Sequence, residues 1–127
     1  YSMNLDPKFK DGPVQRTVAA IQKRMKAKPN LKVRVLLDQS PWSKFNTEIN
    51  TTAIAQLKKR GIEGRLDTED KITHAKVLIV DNKVVVGTNN WGMGGMELYH
   101  EVGIRTSEAN VQVAMLKYFD GIWEGSK

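Results

Sequence analysis

With 127 residues, the chain is long enough for one globular domain with a hydrophobic core and too short for two. Apolar residues make up 40% and charged residues 27%, and no run approaches the roughly 18 consecutive apolar residues of a membrane-spanning helix, which excludes that class. Cysteine is absent, excluding disulfide frameworks, thiolate nucleophiles and cysteine-type zinc sites.

In chain order, Tyr1-Ser2-Met3-Asn4 opens without an initiator methionine or leader-type run, and Tyr1 reads as lying inside a first strand cut short. After Asp11-Gly12-Pro13, apolar residues Val14, Val18, Ile21 and Met25 follow at spacings of four, three and four, which predicts a helix. Pro29-Asn30 stops it, and residues 31–38 read as a buried strand rich in valine and leucine. Residues 39–47 read as a loop carrying Trp42 and Phe45 beside Lys44. A second helix is expected over residues 48–60, with Ile49, Ala53 and Leu57 inward and Gly61 as its stop, then a short strand over 62–66. Residues 73–80 and 83–91 are both strand-like and meet at Asp81-Asn82, the mark of a hairpin. Residues 92–96 are a glycine-rich loop, suited to a lip over a substrate, a dimer contact or a plain turn, and a third strand is expected over 97–105. Thr106 or Ser107 then caps a last helix with Val111, Met115, Tyr118 and Ile122 on its inner stripe, widened by Phe119 and Trp123. The order implies an α/β fold, a mixed β-sheet flanked by helices, as one domain over residues 1–127.

Residues two apart on a strand share a face. His74 and Lys76 therefore stand together on the first hairpin strand, on a face that continues into the core through Leu78 and Val80. Thr88 and Asn90 stand together on the second, with Val84 and Val86 behind them. On the third strand Glu101 points away from His100, which shares its face with Leu98 and Val102 in the pattern of a core or interface histidine. Two histidines without a third ligand argue against a zinc site.

Aligned, these polar halves suit a phosphate. Lys76 supplies charge, while Thr88 and Asn90 supply neutral donors for a five-coordinate phosphorus transition state. His74 can attack phosphorus and form a phosphohistidine if a carboxylate holds its opposite ring nitrogen, and Glu101 is the candidate for that partner. The chemistry needs no metal ion or cofactor, but it does need an acid for the leaving oxygen.

His74-Ala75-Lys76, four residues, Asp81, then Gly87-Thr88-Asn89-Asn90 resembles the motif of the phospholipase D superfamily: HxK, four residues, D, about six residues, GSxN. Here five residues separate Asp81 from Gly87, and threonine replaces serine while keeping the hydroxyl. Glu101-Val102-Gly103-Ile104 is similar to the family's acidic strand and residues 118–123 to its closing helix, so the likeness runs over nearly the whole chain. The resemblance implies that His74 is nucleophile or, in a partner half, general acid. It further implies that Lys76 and Asn90 hold phosphate oxygens and that Asp81 supports the site from outside it. Family members bring two such motifs together across a two-fold or pseudo-two-fold axis. A homodimer, or a second motif in a longer parent chain, is therefore implied.

Twenty Lys+Arg against 14 Asp+Glu give a charge of +6, which suits nucleic acid or anionic phospholipid as well as a merely solvated basic surface. The leading expectation is thus a metal-independent nuclease acting on DNA or RNA as a homodimer. Its rivals are one half of a phospholipase D or phosphatidyltransferase, and an inactive nucleic-acid or membrane-binding module.

Overall fold

Pro13 opens helix α1 (Pro13–Ala27), where its missing N–H would have had no helical partner. The computed structural model of which this helix is part describes residues 1–68 and 70–127. Val14 and Val18 are buried, and Ile21 and Met25 pack against the same core, following the expected stripe. Strands β1 (Arg34–Leu37) and β2 (Glu63–Leu66) pair in parallel, with helix α2 (Lys44–Lys58) between them in sequence. Gly61, at φ 72°, turns the chain from α2 into β2 in a conformation that glycine adopts without strain.

The register sets Arg34, Leu36 and Arg65 on one face of this pair, and Val35, Leu37, Gly64 and Leu66 on the other. Helix α2 lies against the second face, so close that a Cβ on Gly64 would stand 2.8 Å from Ile54 Cδ1. Helix α3 (Ala109–Gly125) covers the first face, where the Arg65 guanidinium lies 4.3 Å from the Trp123 ring centroid and that of Arg34 4.9 Å from Phe119. The core gathers Met3, Leu5, Val14, Val18, Leu37, Ala53, Leu57 and Ile62. Burial of each large apolar side chain contributes about 1.5–3 kcal/mol.

Strands β3 (Val77–Val80), β4 (Lys83–Gly87) and β5 (Gly103–Thr106) form an antiparallel ladder, and Asp81 makes the β3–β4 turn at φ 51°. The N-terminal segment ties this ladder to the parallel pair. Asp38 N donates to Tyr1 O (3.2 Å), Trp91 N to Ser2 O (2.9 Å) and Asn4 N to Trp91 O (2.7 Å). Parallel and antiparallel strands are thus combined between helices, the fold class that the sequence predicts.

Several local expectations need correction. Helix α2 begins at Lys44, not Glu48, because the Ser43 hydroxyl accepts from Asn46 N and starts the helix earlier; Phe45 is therefore helical. The hairpin strands are shorter than expected, and a π-helical turn, Gly94–Leu98, takes up part of the expected glycine-rich loop and the first two residues of the expected third strand, which is regular only from Gly103 in β5. Helix α3 starts after Glu108, although Thr106 Oγ1 does accept from Glu108 N. The face assignment also fails. Val77 pairs with Val86 and Leu78 with Val85, so Leu78 and Val80 do not share a face with Val84 and Val86. Leu78 and Val80 remain 40% and 51% exposed and are not core residues, whereas Val84 is buried.

Candidate active site

His74 and Lys76 lie just before β3, where regular pairing stops after the bond from Gly87 N to Lys76 O (3.1 Å). There the two side chains meet directly. Lys76 Nζ donates to the His74 carbonyl at 2.8 Å and stands 3.2 Å from both ring nitrogens. The Tyr1 ring closes the other side, its centroid 4.5 Å from that of His74 and 4.8 Å from Lys76 Nζ. Partial burial holds the Lys76 ammonium below the ordinary lysine range, and the Glu101 carboxylate opposes that shift.

Thr88 is the first residue past β4. Its N–H donates to Val102 O (3.0 Å), its hydroxyl accepts from Val102 N (3.1 Å), and the same hydroxyl donates to the Glu101 carboxylate. Thr88 thereby holds Glu101, whose charge reaches Lys76, and Lys76 in turn holds His74. Two details differ from the sequence reading. Glu101 engages Thr88, and among the described residues no hydrogen bond joins it to His74. Asn90 Oδ1 is buried with no hydrogen-bond partner among the described residues.

Asp81 stands at the opposite end of β3, roughly 16 Å along the strand from Lys76 at ~3.3 Å per residue; there its carbonyl accepts from Gln112 Nε2. It shares the hairpin with the site but does not reach it. His100 is exposed, so the core reading does not hold within this chain. Trp42 and Phe45 are 77% and 74% exposed on either side of Lys44.

Three residues escaped the sequence reading. Tyr1 lies too far away in sequence for any local pattern to pair it with His74. Gly95 was visible only as part of a glycine run. A Cβ there would meet Asn90 O at 2.4 Å and Asn90 N at 2.9 Å, so only glycine lets the π-helical turn pass the Asn90 backbone. Asp38, which directly follows β1, proves fully buried, with its carboxylate accepting from Thr73 N (2.9 Å) and Asn46 Nδ2 (3.1 Å). Burial raises its pKa above the usual aspartate range, and the Thr73 bond pulls the other way. An acidic residue directly after a buried strand, followed by Gln39 and Ser40, was the available signal.

Comparison with known proteins bears on the same region. The family model described as "Cardiolipin synthase, PLD-like domain" matches residues 5–123. NucT from Helicobacter pylori superposes with a TM-score of 0.69 at 20% identity, over 99% of this chain and 76% of that one. A phospholipase D family member, Nuc from Salmonella typhimurium, gives 0.67 at 22% identity, over 100% and 76%. A sequence search of curated proteins gives no match. At these identities the two structures establish likeness of fold.

Proposed function

The chain belongs to the PLD-like domain family, and from that premise we propose that it is a metal-independent phosphodiesterase acting on nucleic acid through a phosphohistidine at His74. The observation that carries this reading is the contact of Lys76 Nζ with both His74 ring nitrogens at 3.2 Å. A phosphate oxygen bound to that ammonium brings phosphorus to the imidazole, and the ammonium offsets the charge that develops on the equatorial oxygens.

The reaction divides into two displacements. A neutral His74 nitrogen attacks phosphorus, the bond to the leaving oxygen breaks, and the imidazolium of a second motif gives that oxygen its proton. The second histidine, now neutral, takes a proton from water as the water oxygen attacks. The P–N bond breaks, and both histidines return to their starting states. A second copy of this chain supplies the second motif. An exposed apolar surface beside Glu101, with Val102 at 69% and Ile104 at 72%, supports such an isologous contact. Asn90 serves the substrate as a donor to a phosphate oxygen through its amide nitrogen, since its buried Oδ1 is an acceptor that a phosphodiester cannot satisfy.

Nucleic acid is preferred as substrate because the +6 charge is joined by the exposed pair Trp42 and Phe45, on which bases can stack. The same aromatic pair beside Lys44, together with the description of the matching family model, favours a phospholipid substrate as the second reading. Both are tested by turnover of bis(p-nitrophenyl) phosphate in excess chelator, followed by panels of oligonucleotides and phospholipid vesicles. Turnover should persist with chelator and fall about 10³-fold or more in His74→Ala. A folded, unaltered protein that cleaves none of these would leave the reading of an inactive binding module.

A further inference from the structure

The buried polar cluster at the C-terminal ends of β1 and β2 touches no group assigned a role in the chemistry, yet it grips the segment that carries His74. Asp38 and Asn50 are 0% exposed and Asn46 is 7% exposed. Asn50 Nδ2 donates to the Asp38 carbonyl (2.8 Å), and its Oδ1 accepts from Met3 N (3.0 Å). The Asp38 carboxylate spends one oxygen on Asn46 Nδ2 and the other on the backbone N–H of Thr73, the residue immediately before His74. Thr73 precedes β3 and so lies outside the ladder that fixes Val77 and its followers. A buried carboxylate is costly to keep, and a core residue serving only packing would be apolar.

We propose that Asp38 is a positioning residue for His74: its carboxylate clamps Thr73 N and thereby fixes the imidazole against Lys76 and the bound phosphate. The proposal rests on the reading of His74 as the nucleophile. A segment ending in an unclamped N–H would let the imidazole wander, and a displacement of about 1 Å at a reacting atom can cost about 10²-fold in rate. Since Asp38 does not touch substrate, the loss belongs in kcat and not in KM.

The hydrogen bond, and not the charge, is the working element, which makes the variants informative. Asp38→Ala removes the acceptor; kcat should fall by about 10²-fold with KM little changed. Asp38→Asn retains one oxygen for Thr73 N, and its new amide can donate to Asn46 once that side chain turns over; it should restore most of the lost kcat. A folded Asp38→Ala with unaltered kcat overturns the proposal, as does an Asp38→Asn variant as slow as Asp38→Ala. If Asp38→Ala does not fold, Thr73→Pro deletes the donor from the loop side without opening the core, and must reproduce the loss of kcat; a normal kcat there also overturns it. If the unaltered protein turns over no phosphodiester, the functional reading fails separately, and the clamp is then read from the His74 imidazole resonances by NMR. They should shift and broaden in Asp38→Ala or Thr73→Pro and match the unaltered protein in Asp38→Asn. Unchanged resonances in the first two would refute the clamp.

Discussion

Lys76 is the residue on which most of the candidate site converges, because its ammonium touches His74 and feels Glu101. Burial favours its neutral form and Glu101 favours the cation, and binding of phosphate requires the cation. Glu101→Gln removes the carboxylate that favours the Lys76 cation, so the alkaline limb of the kcat/KM profile should move to lower pH. A limb that stays in place would mean that Lys76 does not titrate in the reaction. Gly95 acts at the same scale through sterics alone. Gly95→Ala sets a methyl 2.4 Å from Asn90 O, so the Asn90 backbone must move. Activity should fall by about 10²-fold while circular dichroism remains that of the unaltered protein; full activity would remove Asn90 from the site.

At the scale of elements, the sequence was legible wherever one local rule decided the outcome. Apolar spacing marked α1 and the span of α3, although Val111 and Tyr118 of its expected inner stripe stay exposed; Gly61 marked the end of α2, and Asp81-Asn82 marked the hairpin. The gathering of His74 and Lys76 was also legible, but for a reason only partly right. Alternation along β3 and β4 does not align their faces as expected, since Leu78 pairs with Val85; the polar residues lie beyond the ladder, where individual hydrogen bonds set direction. The π-helical turn was illegible because it depends on how closely the Gly95 backbone passes that of Asn90, which no spacing pattern encodes, and the Asp38 clamp because it joins Asp38 to Thr73 across 35 positions. One element-level contact offers a clean check of the α2–β2 packing. Gly64→Ala places a methyl against the flexible end of Ile54, and overpacking of this kind costs about 1–3 kcal/mol. Thermal melting should register that loss, whereas an unchanged Tm would mean that α2 stands further from the sheet.

Across the whole molecule, the proposed chemistry needs two histidines, and one chain contributes a single HxK motif. In the proposed function, self-association through the exposed apolar surface near Glu101 would supply the second. Ile104 is 72% exposed and its side chain lies outside the core, so Ile104→Lys should leave the monomer folded, halve the solution mass and abolish turnover together. A fully active Ile104→Lys monomer would mean that one motif suffices. Net charge acts at this scale as well: with nucleic acid as substrate, binding should weaken steeply with salt through release of condensed counterions. The covalent step at His74 is tested most directly by quenching turnover of a slow phosphodiester into alkali, where phosphohistidine survives, and mapping the adduct by mass spectrometry. A phosphoryl adduct on the peptide bearing His74, absent from His74→Ala, is the predicted result; turnover with no adduct there, or an adduct on another residue, would contradict it.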